Sequence, residues 1–245
     1  MGRALESNKM REHYKLQLKS LCDQIAQLGQ FCDDSLAGAI NALHDHDSEL
    51  AQRIYQSDYI VDQKEREIEN LCLSIILHQQ PIASDLRLVS SALKLITDME
   101  RIGDQSCDIA EIVMHLDYAE SVHFKLIEDM AKIARAMVQD AVEAFINRDM
   151  ALAQSVIKRD DQVDNFLVEA RELMAKLIVE HDHDAATIVD MVMIAKYIER
   201  IGDHATNVAN WAIFSITGSH PDKHPADAGV EVSTNGEADA ALLRA

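Results

Sequence analysis

A chain of 245 residues has room for one large domain or two small ones, and folding at that length buries roughly 70–75% of the unfolded surface. Hydrophobic residues make up 48% and aromatics only 4%, which excludes global disorder and leaves a core of Leu, Ile, Val, Ala and Met, a palette suited to helix packing rather than to sheets. The formal net charge of -19 repels nucleic-acid phosphates and anionic lipid headgroups but not cations or a basic partner surface, and plain solubility accounts for it equally well.

The elements follow in chain order. Met1 to Lys19 is polar, with no apolar stretch of the kind a secretory leader carries. From about Glu12 the apolar residues recur at i, i+3, i+4, i+7, predicting a first helix to Leu43. His44-Asp45-His46-Asp47 interrupts it, and Asp47 is a good N-cap for a second helix to Leu77. His78-Gln79-Gln80-Pro81 ends that helix, and Pro81 pre-sets the start of a third, which runs to Leu116. A fourth spans Ser121 to Asn147. Asp149 caps a fifth, which runs to Val179, and His181-Asp182-His183-Asp184 precedes a sixth from Ala185 to Ile216. No run of 18 apolar residues occurs, so no membrane span is expected, and the reading is cytoplasmic.

Short connections force consecutive helices to lie antiparallel and adjacent. The expected fold is all-α: two tandem antiparallel three-helix bundles, residues 1–118 and 119–216, followed by a disordered acidic tail over 217–245 that holds two of the three prolines. The bundles read as a duplication. Glu100-Arg101-Ile102-Gly103-Asp104 recurs as Glu199-Arg200-Ile201-Gly202-Asp203, Asp47 matches Asp149, and Asp62 matches Asp164, in the same order and at nearly the same spacing.

The repeated pentapeptide is the strongest chemical feature. Residues i and i+4 share a helix face, so Glu100, Asp104 and Asp108 form a carboxylate column on the third helix, and Glu199, Asp203 and Asn207 form its equivalent on the sixth. Like charges at that spacing cost roughly 0.2–0.5 kcal/mol per pair. A glycine inside a helix costs about 0.8–1.0 kcal/mol relative to alanine. Both penalties occur twice. A hard cation held by oxygen ligands would offset the repulsion, and Gly103 and Gly202 would admit a close neighbour. The plain alternative is a solvated, salt-bridged face: Arg101 and Asp104 are i,i+3 partners, as are Arg200 and Asp203, and Lys196 reaches Glu199 in the same way.

Weaker candidates surround this one. Glu120/His123 and Glu180/His183 have the spacing of di-iron bundle ligands but stand near helix ends, where capping and solvation are the ordinary roles. His204, beside Asp203, is a ligand, a base or a surface residue. Cys22, Cys32, Cys72 and Cys107 form no C-x-x-C pair and read as buried, reduced thiols rather than zinc ligands. Met191 and Met193 read as core and interface fillers. No phosphate-binding glycine loop, nucleophile elbow or basic recognition helix is present. A non-enzyme is therefore expected, with a carboxylate-bridged metal-binding enzyme or oxidase as the alternative.

The stretches Gln80-Pro81-Ile82-Ala83-Ser84-Asp85-Leu86-Arg87, Glu100 to Asp104, and Tyr197 to Ala209 together resemble the PhoU family, and the resemblance covers about residues 10 to 216. It implies a regulator that couples the phosphate-specific ABC transporter, through its ATPase subunit, to a sensor histidine kinase, and that restrains the phosphate-starvation response when phosphate is plentiful. It implies a divalent or multinuclear iron or zinc centre on Glu100 and Asp104 and on Glu199 and Asp203. Asp108 and Asn207 extend the two columns, and Asp62 and Asp164 are further candidate ligands. A homodimer is expected, nucleic-acid binding is not, and Arg87 is expected to pair with a carboxylate across the bundle.

Overall fold

The computed structural model describes residues 2–116, 125–180 and 184–219, with side chains from residue 11 onward. Seven helices make up the fold: α1 (Gly2–Asp45), α2 (Ser48–Tyr55), α3 (Asp58–Gln79), α4 (Ala83–His115), α5 (Lys125–Asn147), α6 (Met150–Glu180) and α7 (Ala185–Thr217). Among the described residues there is no strand. The boundary expected at 118–119, the Glu120/His123 pair, His183, and the tail beyond Ser219 lie outside the described residues.

The turn that starts each second helix is built twice. His46 and Arg148 adopt left-handed backbone, with φ of 56° and 55°. Each reverses the chain so that the next amide, Asp47 N or Asp149 N, reaches back 2.9 Å to the carbonyl of Ala42 or Ala144. The Asp47 carboxylate then caps Leu50 N at 2.8 Å, and Asp149 caps Leu152 N at 3.0 Å. Two non-glycine residues held at an unfavourable φ in the same place are the imprint of one ancestral turn.

One expectation needs correction. The helix expected from Asp47 to Leu77 is two helices, broken at Gln56-Ser57, whereas its counterpart α6 is continuous. At the break the Ile54 carbonyl accepts from Ser57 N at 2.9 Å, from the Ser57 hydroxyl at 2.7 Å and from the Cys107 thiol at 3.6 Å. The hydroxyl alone does not break the helix, because Ser155 makes the same kind of bond, to the Leu152 carbonyl at 2.8 Å, inside continuous α6. The second repeat has Arg159 in place of Ser57, and its guanidinium instead reaches Asp140.

The two bundles share one core. Buried residues from Leu21 on α1 to Ile213 on α7 form a single hydrophobic cluster, filled by aliphatic side chains and Met around a fully buried Phe145. The most extensive helix pairing joins α4 of the first repeat to α7 of the second. Contacts of Asp98 with His204 and Asn207, and of Asp108 with Arg200 and Tyr197, run that pair antiparallel. Helices α1 and α5 also cross antiparallel, with Gly29 against Val142, Asp33 against Arg135 and His44 against Glu128. Equivalent helices meeting antiparallel define an internal pseudo-twofold axis.

Asp33 lies almost on that axis. It is 2% exposed and accepts from Arg135 Nε at 2.7 Å, Arg135 Nη2 at 2.9 Å and Gln139 Nε2 at 2.8 Å. Asp33 stands 14 residues before Asp47, and Arg135 stands 14 residues before Asp149, so the partners are equivalent residues of the two repeats. Identical chains would place like charges there. Duplication within one chain lets the two copies diverge into a bidentate ion pair.

Candidate functional site

Two acidic faces are built in parallel, one where α3 packs on α4 and one where α6 packs on α7. The glycine of each pentapeptide sets the approach. A Cβ on Gly103 would meet Val61 Cγ2 at 2.8 Å, and one on Gly202 would meet Val163 Cγ1 at 3.4 Å and Asp160 Oδ1 at 3.5 Å. The valine that fills each gap is flanked by acids in a pattern that also repeats: Asp58-x-x-Val61-Asp62 and Asp160-x-x-Val163-Asp164. Seating the valine on the glycine therefore delivers two carboxylates beside the pentapeptide's own acids.

On the first face Asp58, Asp62 and Glu65 of α3 confront Glu100, Asp104 and Asp108 of α4. Burial raises the pKa values of Glu100, Asp104 and Asp108. Neighbouring charge raises them further: Asp104 acts on Glu100, Asp58 on Asp104, and Glu111 and Asp58 on Asp108. The compensating cations are few. Arg101 lies 3.3 Å from Glu100 and 3.2 Å from Asp104, and Arg66 lies 3.4 Å from Asp62. Thr97 donates to Glu65 at 3.3 Å. The buried Glu100 Oε2 makes no well-aligned hydrogen bond, and Arg101 Nε, 3.3 Å away, is its ion-pair partner among the described residues. Burial, reinforced by Asp58, also pushes the Cys107 thiol up to about 12, so it stays protonated and unreactive.

On the second face Asp160 and Asp164 of α6 confront Glu199 and Asp203 of α7. Burial, then the charges of Asp203 and Asp164, push Asp160 up to about 6, although the Thr206 hydroxyl favours its charged form. Burial and Glu199 raise Asp203. Lys196 donates to both Glu199 oxygens, at 2.6 and 2.5 Å, as its spacing predicts. Arg200 does not follow the i,i+3 pattern expected with Asp203. It lies over the Tyr197 ring at 5.8 Å and lowers the pKa of Asp108 from across the repeat boundary.

The structure separates the expected ligands. Glu100, Asp104 and Asp108 gather with Asp62 on one face, and Glu199 and Asp203 gather with Asp164 on the other. Asn207 turns away from its column: its amide donates to Asp98 Oδ1 at 3.0 Å, and His204 Nδ1 lies 3.0 Å from the same oxygen. Arg87 packs against Gly218 at the C-terminus of α7 instead of on a carboxylate, and Arg148 donates nearby to the Ser215 carbonyl at 3.5 Å. Both cations thus sit at the negative end of that helix. Sequence reasoning missed Asp58, Glu65, Asp98 and Asp160. The recurring valine flanked by acids was the available signal for two of them.

The donor set of each face is all carboxylate oxygen, which suits a hard cation. The excess of negative charge on the first face fits such a guest. Among the described residues no three His, Cys, Asp or Glu side chains stand together as a ready metal cage, so binding would require these part-exposed side chains to change rotamer.

Comparisons with known proteins agree with this architecture. The family described as PhoU domain matches residues 25–113 and again 127–212. The chain is 32% identical over 215 residues, covering 86% of it, to a phosphate-specific transport system accessory protein PhoU homolog of Clostridium acetobutylicum, of which 98% is covered. It is 33% identical over 211 residues to a PhoU homolog 1 of the same description from Thermotoga maritima, with 85% of this chain and 90% of the relative covered. The crystal structure of PhoU from Pseudomonas aeruginosa superimposes with a TM-score of 0.79 at 32% identity, covering 84% of this chain and 100% of that one.

Proposed function

The chain belongs to the PhoU family, and on that premise we propose that it is a non-enzymatic accessory protein of phosphate-specific transport, coupling the ABC transporter's ATPase subunit to a sensor histidine kinase and restraining the phosphate-starvation response when phosphate is plentiful. The observation that carries this reading is the match of both repeats to the family, together with relatives similar over nearly their whole length that are named as accessory proteins of that system. The architecture is compatible with it. Among the described residues no helix is long and apolar enough to cross a membrane, and a cytoplasmic adaptor needs none. Rigid helices displaying acidic faces are suited to contact rather than turnover, and a homodimer belongs to the same proposal.

Each acidic face is proposed as a cation site. Glu100, Asp104 and Asp108, with Asp58 and Asp62, would hold the first ion. Glu199 and Asp203, with Asp160 and Asp164, would hold the second, and Asn207 would join only on leaving Asp98. A bound divalent cation would offset part of the repulsion within a face. Deleting the gene in its own organism tests the regulatory reading. Phosphate-starvation genes should then be expressed in high phosphate, and their remaining off would overturn it.

A further inference from the structure

The pseudo-twofold axis relates two ends of the molecule that differ in character. At one end α3 gives way to α4, and at the other α6 gives way to α7. Residues 70–97, around the first of these junctions, contain a single acid, Asp85, on a chain with 42. The equivalent stretch, 172–196, contains five: Glu172, Glu180, Asp182, Asp184 and Asp190. Asp85 is itself engaged, accepting from the Tyr14 hydroxyl at 2.8 Å.

The acid-poor end is also apolar and exposed. Leu73 and Leu77 lie one turn apart near the end of α3, Ile82 and Leu86 lie four residues apart at the start of α4, and all four are exposed. Leu77 is 72% exposed and Ile82 79%. Single exposed aliphatics are ordinary, but four within 14 residues about one turn form a patch.

Basic charge gathers beside it. Helix α1 runs parallel to α4, since Tyr14 meets Asp85 and the Cys32 thiol meets the Met99 carbonyl at 3.3 Å. Residues 2–13 of α1 therefore extend about 18 Å past the first turn of α4. Residues 1–19 carry five basic and two acidic residues, whereas the remaining 226 carry 18 and 40. Arg11, Lys15 and Lys19 follow one another at i, i+4 and i+8 on one flank and are exposed, with Glu12 pairing to Lys15 at 3.4 Å. The chain as a whole repels an anionic surface, but salt screens that repulsion over about 8 Å at physiological ionic strength. Glu100 of the first acidic face stands 15 residues beyond Asp85, about 22 Å further along α4. The near end therefore decides the contact.

We propose that this end of the first repeat is a contact surface for an anionic lipid bilayer, with the basic flank of α1 over the headgroups and Leu77 and Ile82 in the interfacial layer. Aliphatics exposed about a turn, beside long cationic side chains, suit a deformable surface that is apolar beneath and anionic above. The inference depends neither on the transport reading nor on the acidic columns.

Co-sedimentation of the full chain with large vesicles tests it. Vesicles of phosphatidylcholine with about 30% phosphatidylglycerol should bind the chain, pure phosphatidylcholine should bind it at least about tenfold more weakly, and high salt should weaken the anionic case several-fold. Arg11→Glu with Lys19→Glu and, independently, Ile82→Glu should each lower binding at least about fivefold with the helical circular dichroism unchanged, since all three side chains already face solvent. Val179→Glu, at the exposed equivalent of Leu77 on the acidic end, should leave binding within about twofold. Absence of binding to the anionic vesicles would overturn the proposal and leave an acidic protein as the occupant to seek. Binding indifferent to both variants would overturn it by placing the contact elsewhere on the chain. Binding that appears only on truncation after Ser219 would give this end to the chain's own tail instead. A dimer in sedimentation velocity that Ile82→Glu dissociates would give it to a second copy.

Discussion

The two acidic faces share one backbone plan and differ in charge. Both seat a valine from one helix on the glycine of another, and both surround that contact with acids. Around this common frame four positions have diverged. Glu65 of the first face corresponds to Leu167 in the second, Asp108 to Asn207, Thr97 to Lys196, and Arg66 to Val168. The first three differences make the second face less negative, and the fourth removes the cation that pairs with Asp62 on the first face. Lys196 bonds Glu199 directly, whereas Thr97 offers Glu65 only a hydroxyl. Duplication thus preserved a scaffold and let its two surfaces separate electrostatically. The first face carries more acids, whereas the largest single carboxylate shift, that of Asp160, belongs to the second.

The axis between the repeats gives the largest expected effect. Replacing Arg135 by Met leaves Asp33 buried with only Gln139 as partner, and should cost about 2–4 kcal/mol in urea unfolding. The charge swap Asp33→Arg with Arg135→Asp should recover more than half of that loss, because the two positions are equivalent across the axis. A swap no more stable than the single variant would show that the two sides of the axis are not interchangeable.

Cation affinity sharpens the comparison between the faces. Glu100→Gln with Asp104→Asn should remove the tighter site, and Glu199→Gln with Asp203→Asn the weaker one. Elemental analysis and manganese titration should separate the two by about tenfold, equivalent to about 1.4 kcal/mol. Transplanting the first face's charges onto the second, with Leu167→Glu, Lys196→Thr and Asn207→Asp, should close that gap. Equal affinities in the unmodified chain would break the electrostatic account. Failure of either face to bind would leave both as solvated surfaces.

The glycines come next. Gly103→Ala drives a Cβ to 2.8 Å from Val61 Cγ2, a stiff β-branched side chain, and should destabilise by about 1–2 kcal/mol even after the gain in helix propensity. Gly202→Ala meets Val163 at 3.4 Å, an ordinary contact, so propensity should dominate and stabilise by about 0.5–1 kcal/mol. Thermal unfolding would report opposite signs. Equal shifts would mean that the two helix pairs are equally tight.

The legibility of the sequence followed the range of the interactions. The Asp47 and Asp149 caps, the duplication and most helix ends were readable because periodicity, capping and repetition are local properties, although α1 begins at Gly2 rather than near Glu12. Gly103 and Gly202 announced a close approach, although not what approaches. The break at Ser57 was hidden because the apolar pattern runs through it without interruption. Asp98 was hidden because its partners, His204 and Asn207, lie more than 100 residues away. Arg87 was misjudged for the same reason, since the α7 end on which it packs is brought to it only by the shared core. The carboxylate columns were half legible: one helix of each face was evident from i,i+4 spacing, and the opposing acids needed the tertiary pairing.

The most condition-dependent effect concerns pH and isolates the second face. Asp160 is the group pushed up to about 6, by burial and by the charges of Asp203 and Asp164. Asp161 adds to this, and Lys196 faces the cluster through Glu199. A carboxyl whose pKa is higher folded than unfolded binds its proton more tightly in the native state. Its contribution is therefore fully present below the unfolded value near 3.8 and is lost as pH rises through about 6. With chelator present, so that no cation takes the proton's place, Asp160→Asn should raise stability at pH 7 by about 1 kcal/mol, allowing for solvent screening, and have little effect at pH 4. The matching substitution on the first face, Asp58→Asn, should relieve repulsion without that step, since there the raised pKa values are spread over Glu100, Asp104 and Asp108. A pH-independent effect of Asp160→Asn would show that the second face does not concentrate its repulsion on that one residue.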